Sequence, residues 1–113
     1  MNYDLEERVT RFGKDILSIR KSAKIDRLNT PIFDQLFRAA TSVGANYFEA
    51  NGASSKKDFR NKIHICKKEI KETTYWIAIA EDYIEDKESV SVIKKEAHEL
   101  LLIFSKIASS SKN

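Results

Sequence analysis

The chain has 113 residues and a mass of 13.0 kDa, enough for one compact domain with a core and too little for two. Hydrophobic residues make up 42% and charged residues 33%, as in a globular chain, while 3 Gly and 1 Pro leave little material for the tight turns of a sheet-rich fold. With 20 Lys and Arg against 17 Asp and Glu the formal charge is +3, too small an excess to identify a nucleic-acid partner by itself.

Four segments carry helical periodicity. Leu5, Val9, Phe12, Ile16 and Ile19 recur at steps of three and four, which predicts an amphipathic helix over about 3–23. The second helix, about 30–51, opens at Thr30-Pro31, a cap residue followed by proline at the first helical position. It closes at Asn51-Gly52, a pair suited to a left-handed C-terminal cap. The third, about 55–86, starts at Ser54 or Ser55 with Asp58 in its first turn and carries Phe59, Ile63, Cys66, Ile70, Thr73, Ile77, Ala80 and Ile84 inward. The fourth, about 90–108, starts near Ser89 or Ser91, runs through Ile93, Ala97, Leu100, Leu101, Phe104 and Ile107, and leaves Ser109-Ser110-Ser111 as a frayed tail. Short connections between long helices force antiparallel neighbours. The expected fold is therefore an all-α, up-down-up-down four-helix bundle in a single domain spanning 1–113.

Helix 3 separates into three faces at 100° per residue. With Lys56 as origin, the apolar series above occupies an arc of roughly 240–340° and faces the core. Lys56, Lys57, Arg60, His64, Lys67, Lys68 and Lys71 fall within roughly 0–120°, a basic stripe about four turns long. Ile65, Trp76, Ile79 and Tyr83, near roughly 140–200°, are apolar surface that a monomeric bundle leaves in water, and they predict a subunit interface. Helix 2 is likewise apolar over about half its circumference, which adds Phe37, Gly44 and Phe48 to that interface. Gly44, with Ala40 one turn earlier, marks close approach of another helix, either in a second subunit or within the protomer.

Charge is uneven along the chain. Residues 54–71 hold 7 Lys and Arg against 2 Asp and Glu, whereas 72–113 hold 5 against 8. In an antiparallel bundle this predicts a basic end and an acidic end carrying Glu81, Asp82, Glu85, Asp86 and Glu88. The stripe has two readings, a phosphate-binding surface and an ordinary solvated helix face.

Signatures of catalysis are weak. Cys66 is the sole cysteine, lies on the core arc, and reads as a small buried hydrophobe, with no oxidising compartment implied. His64 and His98 lack the Glu-x-x-His spacing of a di-metal bundle, so no metal or cofactor is expected. Gly13, Gly44 and Gly52 are isolated and form no phosphate loop. Tyr75, Trp76 and Tyr83 suit base stacking or, at helical spacing, core and interface packing. The N-terminal residues lack a secretory pattern and no run approaches the ~18 apolar residues of a membrane span, so a cytoplasmic, non-enzymatic protein is expected.

The run Thr41-Ser42-Val43-Gly44-Ala45-Asn46-Tyr47-Phe48-Glu49-Ala50, followed by Asp58-Phe59, Lys62-Ile63, Lys68-Glu69, Glu72-Thr73 and Tyr75-Trp76-Ile77, resembles the bacterial four-helix-bundle proteins encoded in intervening sequences of 23S rRNA genes. These are similar to the accessory variability determinant of diversity-generating retroelements. The resemblance covers Tyr3 to about Lys106. It implies a homopentamer arranged as a barrel with a central channel, in which Gly44, Ala45, Asn46 and Tyr47 pack helices and Lys62, Lys68, Glu69 and Glu72 make polar contacts or ion pairs. It also implies Asn46 and Glu49 as hydrogen-bonding groups across subunits. The retroelement relatives bind nucleic acid and a reverse transcriptase through basic surfaces, and this chain departs from them in its mild basicity.

Two functions follow as expectations. One is a homo-oligomer that binds RNA or DNA electrostatically through the helix 3 stripe. The alternative is a protein-interaction scaffold or accessory subunit, for example for a reverse transcriptase, with no direct nucleic-acid contact.

Overall fold

A computed structural model describes residues 2–111; Met1, Lys112 and Asn113 of the expected domain lie outside the described residues. Four α-helices follow one another: α1 (Asn2–Ser18), α2 (Thr30–Asn51), α3 (Lys56–Ala80) and α4 (Lys87–Ser110). Their mutual contacts fix the directions. Asn51 at the end of α2 donates to Glu6 near the start of α1 at 2.8 Å. Lys62 near the start of α3 donates to Glu49 near the end of α2 at 2.7 Å, and Arg60 reaches the Ser111 carbonyl just past α4 at 2.8 Å. Each helix therefore runs antiparallel to its predecessor, and Arg8 closes the circle from α1 to Glu96 on α4 at 2.6 Å.

The expected inward residues form the core. Val9, Phe12 and Ile16 meet Leu36, Val43 and Tyr47, with Ile63, Cys66, Ile70 and Ile77 opposite and Ile93, Leu100 and Phe104 from α4, all buried. Thr73 and Ala80 are buried with them, and Phe59 packs at the margin. The Tyr47 and Phe104 rings lie 5.8 Å apart at 55°, a tilted pair joining α2 to α4. Burial pushes the Tyr47 phenol above its ordinary pKa, with the Asn51 side chain as a hydrogen-bond partner.

The helix ends depart from the periodic pattern in several places. The first helix was expected to reach residue 23 and the third 86, but α1 stops at Ser18 and α3 at Ala80, each followed by a 3-10 turn (Ile19–Ser22 and Glu81–Tyr83). The reason is tertiary. The two chain exits pair as an isolated antiparallel bridge between Ala23 and Ile84, with Lys24 N–H donating to the Tyr83 carbonyl at 2.8 Å and Glu85 N–H to that of Ser22 at 3.0 Å. Extended backbone at these positions ends both helices while Ile19 and Ile84 stay buried.

Capping differs too. Asn29, not Thr30, precedes α2 as its cap residue, and it is held by a reciprocal pair in which Asp26 N–H donates to Asn29 Oδ1 at 2.8 Å and Asn29 N–H to Asp26 Oδ1 at 2.9 Å. Gly52 has φ −100°, so α2 ends without a left-handed cap; the Gly52 and Ala53 amides instead bond back to Glu49 and Ala50. Ser55 caps α3 as expected, accepting from Asp58 N–H at 3.0 Å. Asp86 caps α4 three residues before the expected start, accepting from Ser89 N–H at 3.0 Å. At the other end α4 continues through Ser110, where the Ser110 and Ser111 hydroxyls donate to carbonyls one turn back, so these serines prolong the helix rather than fray.

Candidate nucleic-acid interface

The stripe is built by the packing that surrounds it. α3 turns Ile63, Cys66, Ile70 and Ile77 into the core, which leaves Lys56, Lys57, His64, Lys68 and Lys71 exposed and Arg60 and Lys67 half-buried, with Arg60, His64 and Lys67 bordering α4. No acidic side chain shares that arc between Lys56 and Lys71, since Asp58 and Glu69 project elsewhere at 100° per residue. Ion pairing confirms the separation. Arg8, Arg38, Lys62 and Lys94 each meet a carboxylate at 3.1 Å or less, whereas among the described residues the stripe makes one ion pair, Lys68 to Glu69 at 4.0 Å. Arg60 is tethered by a neutral carbonyl, that of Ser111.

Sequence reading missed the second wall of this face. Arg60, His64 and Lys67 open onto a depression of about 330 Å³ completed by Ser105, Ala108 and Ser109 of α4. Its hydroxyls stand opposite the cations. A hollow of about 490 Å³ beyond it, lined by Ser54, Ser55, Lys56, Phe59, Ser110 and Ser111, continues the face to the end of the bundle. The i, i+4 spacing of Ser105 and Ser109 on the flank of α4 was the available signal, and the frayed-tail reading hid it.

The predicted polarity between the two ends dissolves. The Ala23–Ile84 bridge carries Arg20, Lys21, Lys24 and Arg27 to the end that holds Glu81, Asp82 and Glu85, and Lys24 lies 3.7 Å from Glu85. The other end, where α3 starts, also holds the acidic first turns of α1, whose Glu6 is tied to Asn51 at the end of α2. The basic feature that survives is lateral, along one side of α3.

The seven candidate interface residues fall into two groups on different sides. Phe37, Gly44 and Phe48 border α1: the Arg20 guanidinium lies 5.9 Å from the Phe37 ring, and Phe48, 48% exposed, closes a 350 Å³ depression with Glu6, Glu7, Thr10, Arg11 and Lys14. A Cβ added to Gly44 would meet Val9 of the same chain at 3.5 Å, so this close approach is made within the protomer. Ile65, Trp76 and Ile79 form the other group on the flank of α3 away from α4, with Ile79 39% exposed, while Tyr83, expected on the same helix face, falls in the 3-10 turn beyond the helix and is 42% exposed.

That second flank also holds α3's carboxylates. Arg38 of α2 grips Glu72 with two bonds of 2.6 and 3.0 Å, which leaves Glu69, 6% exposed, with its Oε1 3.9 Å from Arg38 Nη1 and no hydrogen bond. Trp76 Nε1 is likewise buried without an acceptor. Asn46 and Glu49, implied as cross-subunit groups, find partners in the same chain: Asn46 donates to the Ser42 carbonyl at 2.8 Å and Glu49 accepts from Lys62. Glu49 thereby raises the Lys62 ammonium pKa.

Cys66 is fully buried, its Sγ 3.5 Å from the Val43 carbonyl, and burial pushes the thiol up to about 12, so at neutral pH it is a thiol and a poor nucleophile. Among the described residues no three His, Cys, Asp or Glu side chains cluster as metal ligands, and no helix is long and apolar enough to cross a membrane.

A small antiparallel four-helix bundle with one cationic flank defines the structural class. Residues 2–106 match the family model described as 23S rRNA-intervening sequence protein, and the chain belongs to that family. It is similar to a crystal structure from Bacteroides thetaiotaomicron described as a protein with unknown function from the S23 ribosomal protein family, at 30% identity and a TM-score of 0.79, over 91% of this chain and 96% of that one. No curated protein matches.

Proposed function

We propose that this protein is a non-enzymatic, cytoplasmic homo-oligomer that binds nucleic acid electrostatically through Lys56, Lys57, Arg60, His64, Lys67, Lys68 and Lys71. The observation that carries the reading is the row of seven α3 cations with one weak carboxylate contact among them, whereas Arg8, Arg38, Lys62 and Lys94 each meet an acid at 3.1 Å or less. Phosphates that displace counterions would supply the missing partners. Filter binding of 23S rRNA fragments and of duplex DNA at two salt concentrations tests it. Affinity should fall by close to one unit of log-log slope per phosphate neutralised, about 0.9 on duplex, and no retention at low salt would sink the reading.

The oligomer is supported by the other flank of α3. That flank carries exposed Ile79 and Tyr83 and two buried polar atoms without partners, Glu69 Oε1 and Trp76 Nε1, and an unmatched buried polar group costs roughly 1–3 kcal/mol. The Phe37–Phe48 group lies on a different side, so a contact joining the two groups is heterologous, the kind that closes into rings. We take five subunits as the number, in keeping with the family resemblance, and sedimentation equilibrium measures it directly. The alternative is a scaffold whose protein partner, such as a reverse transcriptase, docks on the polar ends of the barrel, and it would be favoured by co-purification with a protein that survives nuclease treatment.

A further inference from the structure

The cationic row does not end in solvent. Tyr75 stands one turn beyond Lys71 at roughly 100° on the α3 wheel, within the arc of the stripe and at its border with the apolar strip, Ile79 lying one turn further on. It is 58% exposed. Its ring and that of Trp76 meet in a T-shaped pair, with centroids 5.0 Å apart and planes at 73°, so the ring is braced while the side chain remains open. From Lys56 to Tyr75 the face runs roughly 28 Å at 1.5 Å per residue, with cations over most of its length and an aromatic at its end.

A duplex has little use for that aromatic, because its base faces are already stacked on one another; an unpaired base does have use for it. Building on the nucleic-acid reading above, we propose that this face takes a single-stranded nucleic acid, its backbone along the α3 cations and an unpaired base stacked on Tyr75. The hydroxyls of Ser105 and Ser109 across the depression from Arg60 and Lys67 can donate to phosphate or to ribose, so RNA and DNA share the recognition chemistry and are separated by experiment.

The test is fluorescence anisotropy with three labelled probes: an unstructured RNA strand, the DNA strand of the same sequence, and a blunt duplex. Wild type should prefer the single strands, and Tyr75→Ala should weaken them by about 5- to 150-fold, the range of one stacked base, while leaving the duplex and the salt slope unchanged. Tyr75→Phe, which keeps the stacking ring, should stay within about twofold. Trp76, the sole tryptophan, should lose emission as single strand is added. Equal affinity of Tyr75→Ala and wild type for single strands overturns the proposal and leaves the electrostatic reading standing. A change of assembly mass in Tyr75→Ala, with affinity per assembled particle unaltered, also overturns it by making Tyr75 a subunit contact. Failure of all three probes to bind removes both readings.

Discussion

The two flanks of α3 are set on one helix and have opposite economies of charge. Toward α4, cations stand in a row whose firmest anchor is a neutral carbonyl, that of Ser111. Toward α2, acids and bases satisfy one another across the helix pair, Arg38 with Glu72 and Lys62 with Glu49. Charges matched inside the bundle have little left for a partner; unmatched ones keep their field available. The second flank compensates with exposed apolar area and two orphaned polar atoms, features that a protein surface covers better than a polyanion does. One helix thus carries an unmatched cationic side and a partly exposed apolar side.

Reversing the charge of the first flank should have the largest effect. Lys67→Glu with Lys71→Glu should abolish nucleic-acid retention at salt levels where wild type binds, a loss of at least about 100-fold, with helicity by circular dichroism unchanged because Lys71 is exposed and Lys67 half-buried. The matched control is Lys62→Glu on the second flank. It breaks an intrachain ion pair to Glu49 and should leave the salt slope alone. If both variants lose binding equally, the distinction between the flanks fails.

The second flank is broken next. Ile79→Asp with Tyr83→Asp places charge on the exposed apolar strip, and light scattering should then report a species of 13.0 kDa where wild type gives a multiple of it. Such a monomer should still bind nucleic acid, with lower apparent affinity because the stripes are no longer displayed together. A wild type that is already monomeric would remove the subunit-contact account of this flank, and Glu69 Oε1 and Trp76 Nε1 would then need another partner.

Much of this contrast was legible in the sequence, because both flanks follow from a period of 3.6 residues on one uninterrupted helix. The inward series on α3 from Ile63 to Ala80 is buried as the spacing requires. Long-range placement was less accessible. The bridge of Ala23 to Ile84 joins residues that no local pattern connects, and it both shortens two helices and mixes charges that the linear tally kept apart. The Asp26–Asn29 pair was missed because Thr30-Pro31 is a good local start signal that a reciprocal side-chain turn overrode. Ser105 and Ser109 went unnoticed as a wall because serines carry no weight in a hydrophobic pattern, and their relevance arises from the helix opposite.

Gly44 offers the smallest effect and the sharpest placement. It sits inside α2 in helical backbone, where no glycine of the chain takes a positive φ, and the space beside it is bordered by Val9 of α1 rather than by an empty surface. An added methyl would meet Val9 at 3.5 Å, ordinary contact distance, so Gly44→Ala gains helix propensity at no steric cost. Thermal unfolding should show a stabilisation of about 1 kcal/mol, a rise of a few degrees for a chain of this length, with assembly mass unchanged. A fall in assembly mass without loss of helicity would instead return Gly44 to a subunit contact and extend the protein-facing surface from α3 around to the α1 side of α2.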